Sequence, residues 1–278
     1  MLRASLWIAG AVLLAGIDSP AIALALPLPE KPPCVTEVPP ELREKYKLDP
    51  FYAKYTDYQG YPILSSAKVS DEALLEARYL IGQMLAGRDD IVQSLIKANC
   101  RFTVMAPDEM TTDVPEQRNM TPKDYWDRRA RGLGGRITSC GEENLLNLRG
   151  DRYRNENILI HEFSHCIHQR GLRSVDPSFD RRLRETYRNA IDQGLWADTY
   201  AAENPSEYWA EAVQAYFDCQ APKGGVHNDI DRREKLEKYD PELFKLIDEV
   251  FRQSPYRYVR FDERQGEQSP DEPPAGRE

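Results

Sequence analysis

From Ser70 onward the chain alternates short apolar runs with segments whose apolar residues return every three or four positions. Ser70-Asp71-Glu72 offers an N-cap and first-turn acids to a segment in which Leu74, Ala77, Ile81, Met84 and Leu85 share one face, predicting a helix that Gly87 ends. A second helix is predicted from Asp89 to about Ala98. It leads into Arg101 to Ala106, a β-branched and aromatic run that reads as a strand. A polar loop and a helix around Thr121 to Arg131 follow. The Gly132-Leu133-Gly134-Gly135 stretch reads as a turn before two further strands, Arg136 to Cys140 and Asn144 to Leu148. The remainder is predicted helical, at about Asn155 to Gln169, Pro177 to Gln193, Pro205 to Asp218 and Pro241 to Arg252. A few strands followed by long helices indicate an α+β domain, mostly helical with a small sheet.

The two ends carry no such periodicity. Arg3 precedes an uncharged stretch from Ala4 to Ile17, and Ala23-Leu24-Ala25 offers a cleavage site, so residues 1–25 read as a secretory signal peptide, too short to span a bilayer. Residues 26–45 are proline-rich and are expected to wrap the surface. The folded domain is expected over residues 46–262, and residues 263–278 form a tail whose last part, Gln265 to Glu278, lacks bulky apolar residues and is expected to be disordered.

The chain has 278 residues, 41% hydrophobic and 30% charged, the make-up of an ordinary water-soluble globular protein. Loss of the leader removes Arg3 and Asp18 together, so the formal net charge of the mature chain stays at −9. That surface argues against nucleic acid or an anionic membrane as partner, and no membrane span is expected in the mature chain. An exported chain with five cysteines (Cys34, Cys100, Cys140, Cys166, Cys219) is expected to form disulfides and to leave at least one cysteine without an internal partner. Cys34, just after the leader, is a candidate for such a bridge, or for a zinc-capping latency switch. Asn119-Met120-Thr121 fits the glycosylation pattern. The expected location is secreted or extracytoplasmic.

The chemistry concentrates in His161-Glu162-Phe163-Ser164-His165. On a helix the two histidines of this H-E-x-x-H sequence lie four residues apart and project from one face, so two bonds of about 2.0–2.1 Å can converge on one zinc ion. Leu159, Phe163, Cys166 and Ile167 fall on the opposite side, which leaves one face to pack and the other to line a cleft. His168 shares the histidine face but lies about 10.5 Å along the axis from His161 at a rise of 1.5 Å per residue, so it is expected at the surface or supporting the site from behind. The elongated metzincin pattern fails because Gly171 stands where its third histidine belongs. A third ligand is then sought in the segment from Tyr200 to Val213, where Glu207 and Glu211 share a helical face opposite Trp209, Val213, Tyr216 and Phe217. One carboxylate can bind zinc while the other fixes the tautomer of a ligand histidine. Asn204-Pro205-Ser206-Glu207 is equally a helix start in which Glu207 closes a capping box, and in that case Glu211 is the ligand; spacing does not separate the two.

Ile160-His-Glu-Phe-Ser-His165, taken with Tyr200, Asn204 and Glu207-Tyr-Trp-Ala-Glu211-Ala, resembles the catalytic domain of anthrax lethal factor and its relatives. These two segments are the specific part; over roughly residues 45–255 the likeness rests on the order of elements. The resemblance implies a zincin-like fold of the gluzincin type with one Zn2+ per chain, Glu207 as third ligand beside His161 and His165, Glu211 supporting the site, and Tyr200 assisting catalysis. Ser164 stands where relatives often carry glycine, a small-for-small change. The toxin's host substrates and delivery partner do not carry over, since nothing here matches its other domains.

The expected activity is hydrolysis of a peptide or protein substrate, with Glu162 as general base and proton shuttle and Tyr200 donating to the developing oxyanion. A strand at the cleft rim, Arg101 to Ala106 or Asn144 to Leu148, is expected to pair with the extended peptide. Gly141-Glu142-Glu143-Asn144 faintly resembles an aminopeptidase loop but lacks its methionine, so Glu142 and Glu143 are expected to be surface acids. The rival class is a secreted, non-catalytic zinc- or peptide-binding protein on the same scaffold; it has no need of the base and the tyrosine.

Overall fold

The structure, a computed structural model, describes residues 33–266. The expected leader, the start of the proline-rich segment and residues 267–278 lie outside the described residues. In chain order the elements are β1 (Thr36–Glu37), α1 (Pro40–Tyr46), β2 (Lys54–Tyr58), β3 (Tyr61–Ser65), α2 (Asp71–Met84), α3 (Asp89–Lys97), β4 (Arg101–Met105), α4 (Lys123–Arg129), β5 (Gly132–Leu133) and β6 (Ile137–Gly141). They continue as α5 (Glu142–Leu145), α6 (Ile158–Cys166), a π-helical stretch (Ile167–Leu172), α7 (Arg173–Val175), α8 (Phe179–Asp192), α9 (Pro205–Tyr216), α10 (Arg233–Tyr239), α11 (Pro241–Phe251) and α12 (Phe261–Gly266). The result is a mixed α+β fold, mostly helical with one small mixed sheet.

The sheet runs in the order β1-β2-β3-β4-β6-β5, with β3, β4 and β6 parallel and the other pairs antiparallel. Gln59 and Gly60, at φ 50° and 85°, turn β2 into β3, a two-residue hairpin loop with both central residues left-handed. β3 is buried at every position: Ile63 joins the main core with the helices, while Leu64 packs into a satellite cluster with Val38, Tyr46, Leu48 and Tyr52. The proline-rich segment therefore does more than wrap the surface, because β1 extends the sheet at one edge and the chain from Val38 through α1 to Tyr52 packs on its second face.

The helix from Asp71 begins as its sequence predicts, with Ser70 Oγ accepting from Ala73 N at 3.2 Å. Its neighbour α6 is the central helix. Phe163 anchors it on the sheet side against Tyr61 and Phe102, with ring centroids at 5.4 Å and 6.4 Å. Leu159, Cys166 and Ile167 are fully buried beside it, and on another side α6 meets α9, where Trp209 Nε1 donates to Ser164 O at 3.0 Å. Among the described residues no helix is long and apolar enough to cross a membrane.

Four expectations are corrected here. Asn144 to Leu148 is not a strand: residues 142–145 form the short helix α5, and Asn144 is a buried hub. Its amide nitrogen donates to Asp151 Oδ2 (2.9 Å) and Glu156 O (2.9 Å), and its Oδ1 accepts from Ile158 N (2.7 Å) at the start of α6. Glu142 and Glu143 are buried rather than surface acids. Glu142 accepts from Ser70 N at 3.2 Å, and Glu143 forms a two-pronged pair with Arg131, at 2.6 Å from Nε and 2.8 Å from Nη2. The Gly132 to Gly135 stretch is not only a turn, since Gly132 and Leu133 pair with Cys140 and Ser139 as the end strand β5. Finally, the disulfides do not form: all five cysteines are free thiols. Cys100, Cys140, Cys166 and Cys219 are buried in the main core, where each serves as a small apolar side chain, and Cys34 lies exposed.

Candidate metal centre

Asn157 caps α6, accepting from Ile160 N at 3.0 Å, and so fixes the first turn from which His161 and His165 project. Asn204 caps α9 in the same manner, its Oδ1 accepting from Ser206 N (2.9 Å) and Glu207 N (3.1 Å), with Pro205 in the first turn. Only half of a capping box is made. The Glu207 carboxylate turns away from the cap and toward the two imidazoles, so the helix start and the ligand position coexist in one segment.

Three donor atoms meet there. His161 Nε2 and His165 Nε2 are 3.2 Å apart, and Glu207 Oε2 lies 3.2 Å from the first and 3.3 Å from the second. Tetrahedral zinc with bonds of about 2.0–2.1 Å requires donors separated by about 3.3 Å. The triangle therefore fits a divalent cation, and His161, His165 and Glu207 form the group able to hold one.

The outer nitrogens are held as a ligand pair needs. His161 Nδ1 lies 2.8 Å from Gln214 Oε1, and the amide nitrogen of Gln214 is committed to Asn157 O and Glu156 Oε2, so the oxygen must accept from Nδ1. That leaves the Nε2 lone pair facing the triangle. His165 Nδ1 pairs with Ser206 Oγ at 2.9 Å. Glu211 is 3.5 Å behind His161 Nδ1, and its stronger partners are Gln220 Nε2 (2.7 Å) and His227 Nδ1 (2.9 Å). Gln214 thus takes the position that spacing offered to Glu211. It lies seven residues after Glu207 on the same face of α9, a signal present in the sequence.

The electrostatics ask for positive charge. Burial disfavours charge on His161, yet Glu207, Glu162 and Glu211 around it push its pKa up to about 10. Burial would raise Glu207, but the two imidazoles hold it well below the carboxylate range. Glu162 is raised above its ordinary value, chiefly by burial, although both histidines and the Gly134 amide pull it down. Glu162 lines the cleft beside the triangle.

Two adjoining cavities, about 390 Å³ and about 230 Å³, share His161, Glu162, Gly132, Arg129 and Tyr200 as lining. Tyr200 stacks near His161 with ring centroids 6.4 Å apart, and its backbone N donates to Val226 O at 2.9 Å. Burial raises its phenol, and Arg129 Nη2, 3.5 Å away, draws it back. The rim strand is β5. Arg101 to Ala106 cannot play that part, because β4 is paired on both sides. The backbone of β5 approaches so closely that a Cβ on Gly132 would lie 2.4 Å from Ile158 Cγ2, and one on Gly134 would lie 2.6 Å from His165 Cβ.

His168 is neither exposed nor part of the triangle: it is buried, 2.8 Å from Asp180 Oδ1, against Phe179 and Trp209. Periodicity did not foresee His227 and Arg129, since one sits in a loop and the other at the end of a short helix, both brought to the cleft by tertiary packing. No family model matches the sequence, and no curated protein matches it. Among solved structures the chain is similar to the Pro-Pro endopeptidase PPEP-2 from Paenibacillus alvei, with 17% identity and a TM-score of 0.46 over 68% of this chain and 96% of that one.

Proposed function

We propose that the protein is a zinc-dependent peptidase of the zincin type that hydrolyses peptide bonds in an exported setting. The observation that carries this reading is the triangle of His161, His165 and Glu207 donors, 3.2–3.3 Å on a side, with the Glu162 carboxyl beside it in a cleft. Kinship with the lethal factor catalytic domain belongs to the same proposal and rests on the two segments that carry these residues. Export rests on the leader-like residues 1–25.

Zinc held by three protein ligands acidifies water toward a pKa of about 7 and polarises a carbonyl. Glu162, raised by burial, takes a proton from the attacking water and passes it to the departing amine. Tyr200 donates its phenol hydrogen to the oxyanion that develops on the carbonyl oxygen. Gln214 and Ser206 keep both imidazoles turned to the metal. Among the described residues no strand pairs with the outer edge of β5, whose Gly132 lines both cavities and Leu133 the smaller, and an extended peptide can pair there.

The test is metal analysis with peptide-library cleavage. Glu162→Gln keeps zinc and loses turnover by about 10²–10⁴-fold, the range of general-base catalysis. His165→Ala loses both, and Tyr200→Phe keeps zinc with impaired turnover. Full activity in Glu162→Gln discards the mechanism. Stoichiometric zinc with no cleavage of any peptide by the wild type overturns the reading in favour of a binding protein on the same scaffold.

A further inference from the structure

The cleft is rich in carboxylates, and most of its charged side chains already have partners. Arg131 is clamped by Glu143, Glu211 is held by Gln220 and His227, and Glu156 accepts from Gln214 at 3.2 Å. Arg129 is different. It is the last residue of α4, exposed, and it lines both cavities on either side of His161 and Glu162.

Among the described residues no carboxylate lies within 4.0 Å of its guanidinium. Its one side-chain hydrogen bond is to the Tyr200 hydroxyl at 3.5 Å, the outer limit for such a bond, and the groups that act on its charge are the phenols of Tyr200, Tyr125 and Tyr153. A guanidinium has five donors in a planar fork that matches a carboxylate. Here most of those donors are uncommitted, and they sit where the cleft passes the metal triangle. Glu203 is the exposed acid of the same cavity, beyond ion-pair reach of Arg129.

We propose that Arg129 is a specificity-determining residue that reads a carboxylate on the bound peptide close to the scissile bond, making the protein selective for acidic peptides. The proposal rests on the peptidase reading given above. The carboxylate comes from an Asp or Glu side chain or from the peptide's own C-terminus, and both present the same planar acceptor. Because Arg129 is exposed and closes no ion pair, its replacement leaves the fold intact.

One peptide library tests this in two ways: cleavage by the zinc-loaded wild type, and retention on the immobilised, zinc-loaded full chain carrying Glu162→Gln. Each peptide is present as free acid and as C-terminal amide, with Glu, Gln or Lys at each internal position. Acidic peptides are expected to dominate both readouts. Loss of the preference on amidation assigns the C-terminus, and loss on Glu-to-Gln exchange assigns the side chain. Arg129→Ala is expected to lower the ratio of kcat/KM on the preferred acidic peptide to that on its Gln counterpart by roughly tenfold or more, a ratio from which any common effect through Tyr200 cancels, and Arg129→Glu to shift the preference to Lys. Cleavage without acidic preference, a Lys preference in the wild type, or an acidic preference that survives Arg129→Ala overturns the assignment and leaves the peptidase reading standing. Selective retention that Arg129→Ala abolishes, with no cleavage by the wild type, does the reverse. Neither retention nor cleavage removes both.

Discussion

At the scale of single residues, the site turns two imidazole nitrogens and a carboxylate oxygen toward one point, 3.2–3.3 Å apart. The carboxylates around His161 favour positive charge at that point, whether a proton or a metal ion, and Gln214, by accepting from Nδ1, is the residue that leaves Nε2 to meet it. Gln214→Leu removes that acceptor at nearly constant volume. Glu211, 3.5 Å away, is a poorer substitute because it is already engaged by Gln220 and His227. Zinc affinity is expected to fall about 10–100-fold, as for other outer partners of metal-bound histidines, and a competition titration against a chromophoric chelator reads it. An unchanged affinity would mean that His161 needs no such partner. His161 and His165 were legible in the sequence because they lie four residues apart on one helix, where spacing decides which face a side chain shares, whereas Glu207 was separated from Glu211 by the resemblance and not by spacing. Gln214, which the sequence reading passed over, stands where Glu211 was expected, since spacing places both on the face of α9 that meets α6 and only the packing decides which one reaches Nδ1.

At the scale of elements, the rim of the cleft depends on residues without side chains. β5 passes so near α6 that a methyl group on Gly132 would also stand 3.0 Å from Ser139 O, a backbone atom of its own strand partner. Gly132→Ala is therefore expected to push β5 off β6 or off Ile158, destabilising the fold by about 1–3 kcal/mol and lowering kcat/KM as the rim shifts. Urea unfolding and peptide kinetics measure the two effects. A variant with wild-type midpoint and wild-type kinetics would show that the approach is not tight. Glycine-rich punctuation was legible here, but a two-residue strand has no period to detect. The helices α2, α9 and α11 began or ended within a few residues of expectation because their caps and apolar stripes agree, and α3, which has no side-chain cap, did so on its first-turn acids and apolar stripe alone. β3 was missed for the opposite reason: it is covered on both faces, so its residues do not alternate. Asn144 to Leu148 resembles a strand locally, yet Asn144 is recruited by Asp151, Glu156 and Ile158, contacts that no local pattern contains.

At the scale of the molecule, the triangle joins α6 to α9, helices that begin almost fifty residues apart and otherwise meet through apolar packing, the Trp209–Ser164 hydrogen bond and the His161–Gln214 and His165–Ser206 pairs. A cation bound there ties together two parts of the chain in the folded state only, so its binding free energy adds directly to stability. At free zinc one hundredfold above the dissociation constant the gain is about 2.7 kcal/mol. For a domain of this size each kcal/mol moves the thermal midpoint by about 2–4 °C. Zinc-loaded wild type is thus expected to melt several degrees above the chelated protein, and the difference to grow with free zinc. His165→Ala keeps the apolar contacts of α6, because His165 lies on the cleft face, but it opens the triangle. Its melting curve is expected to be indifferent to zinc and chelator alike. Coincident wild-type curves with and without zinc would mean that the three donors, however well spaced, do not hold the metal in solution, and the mechanism assigned to Glu162 and Tyr200 would lose its foundation with them.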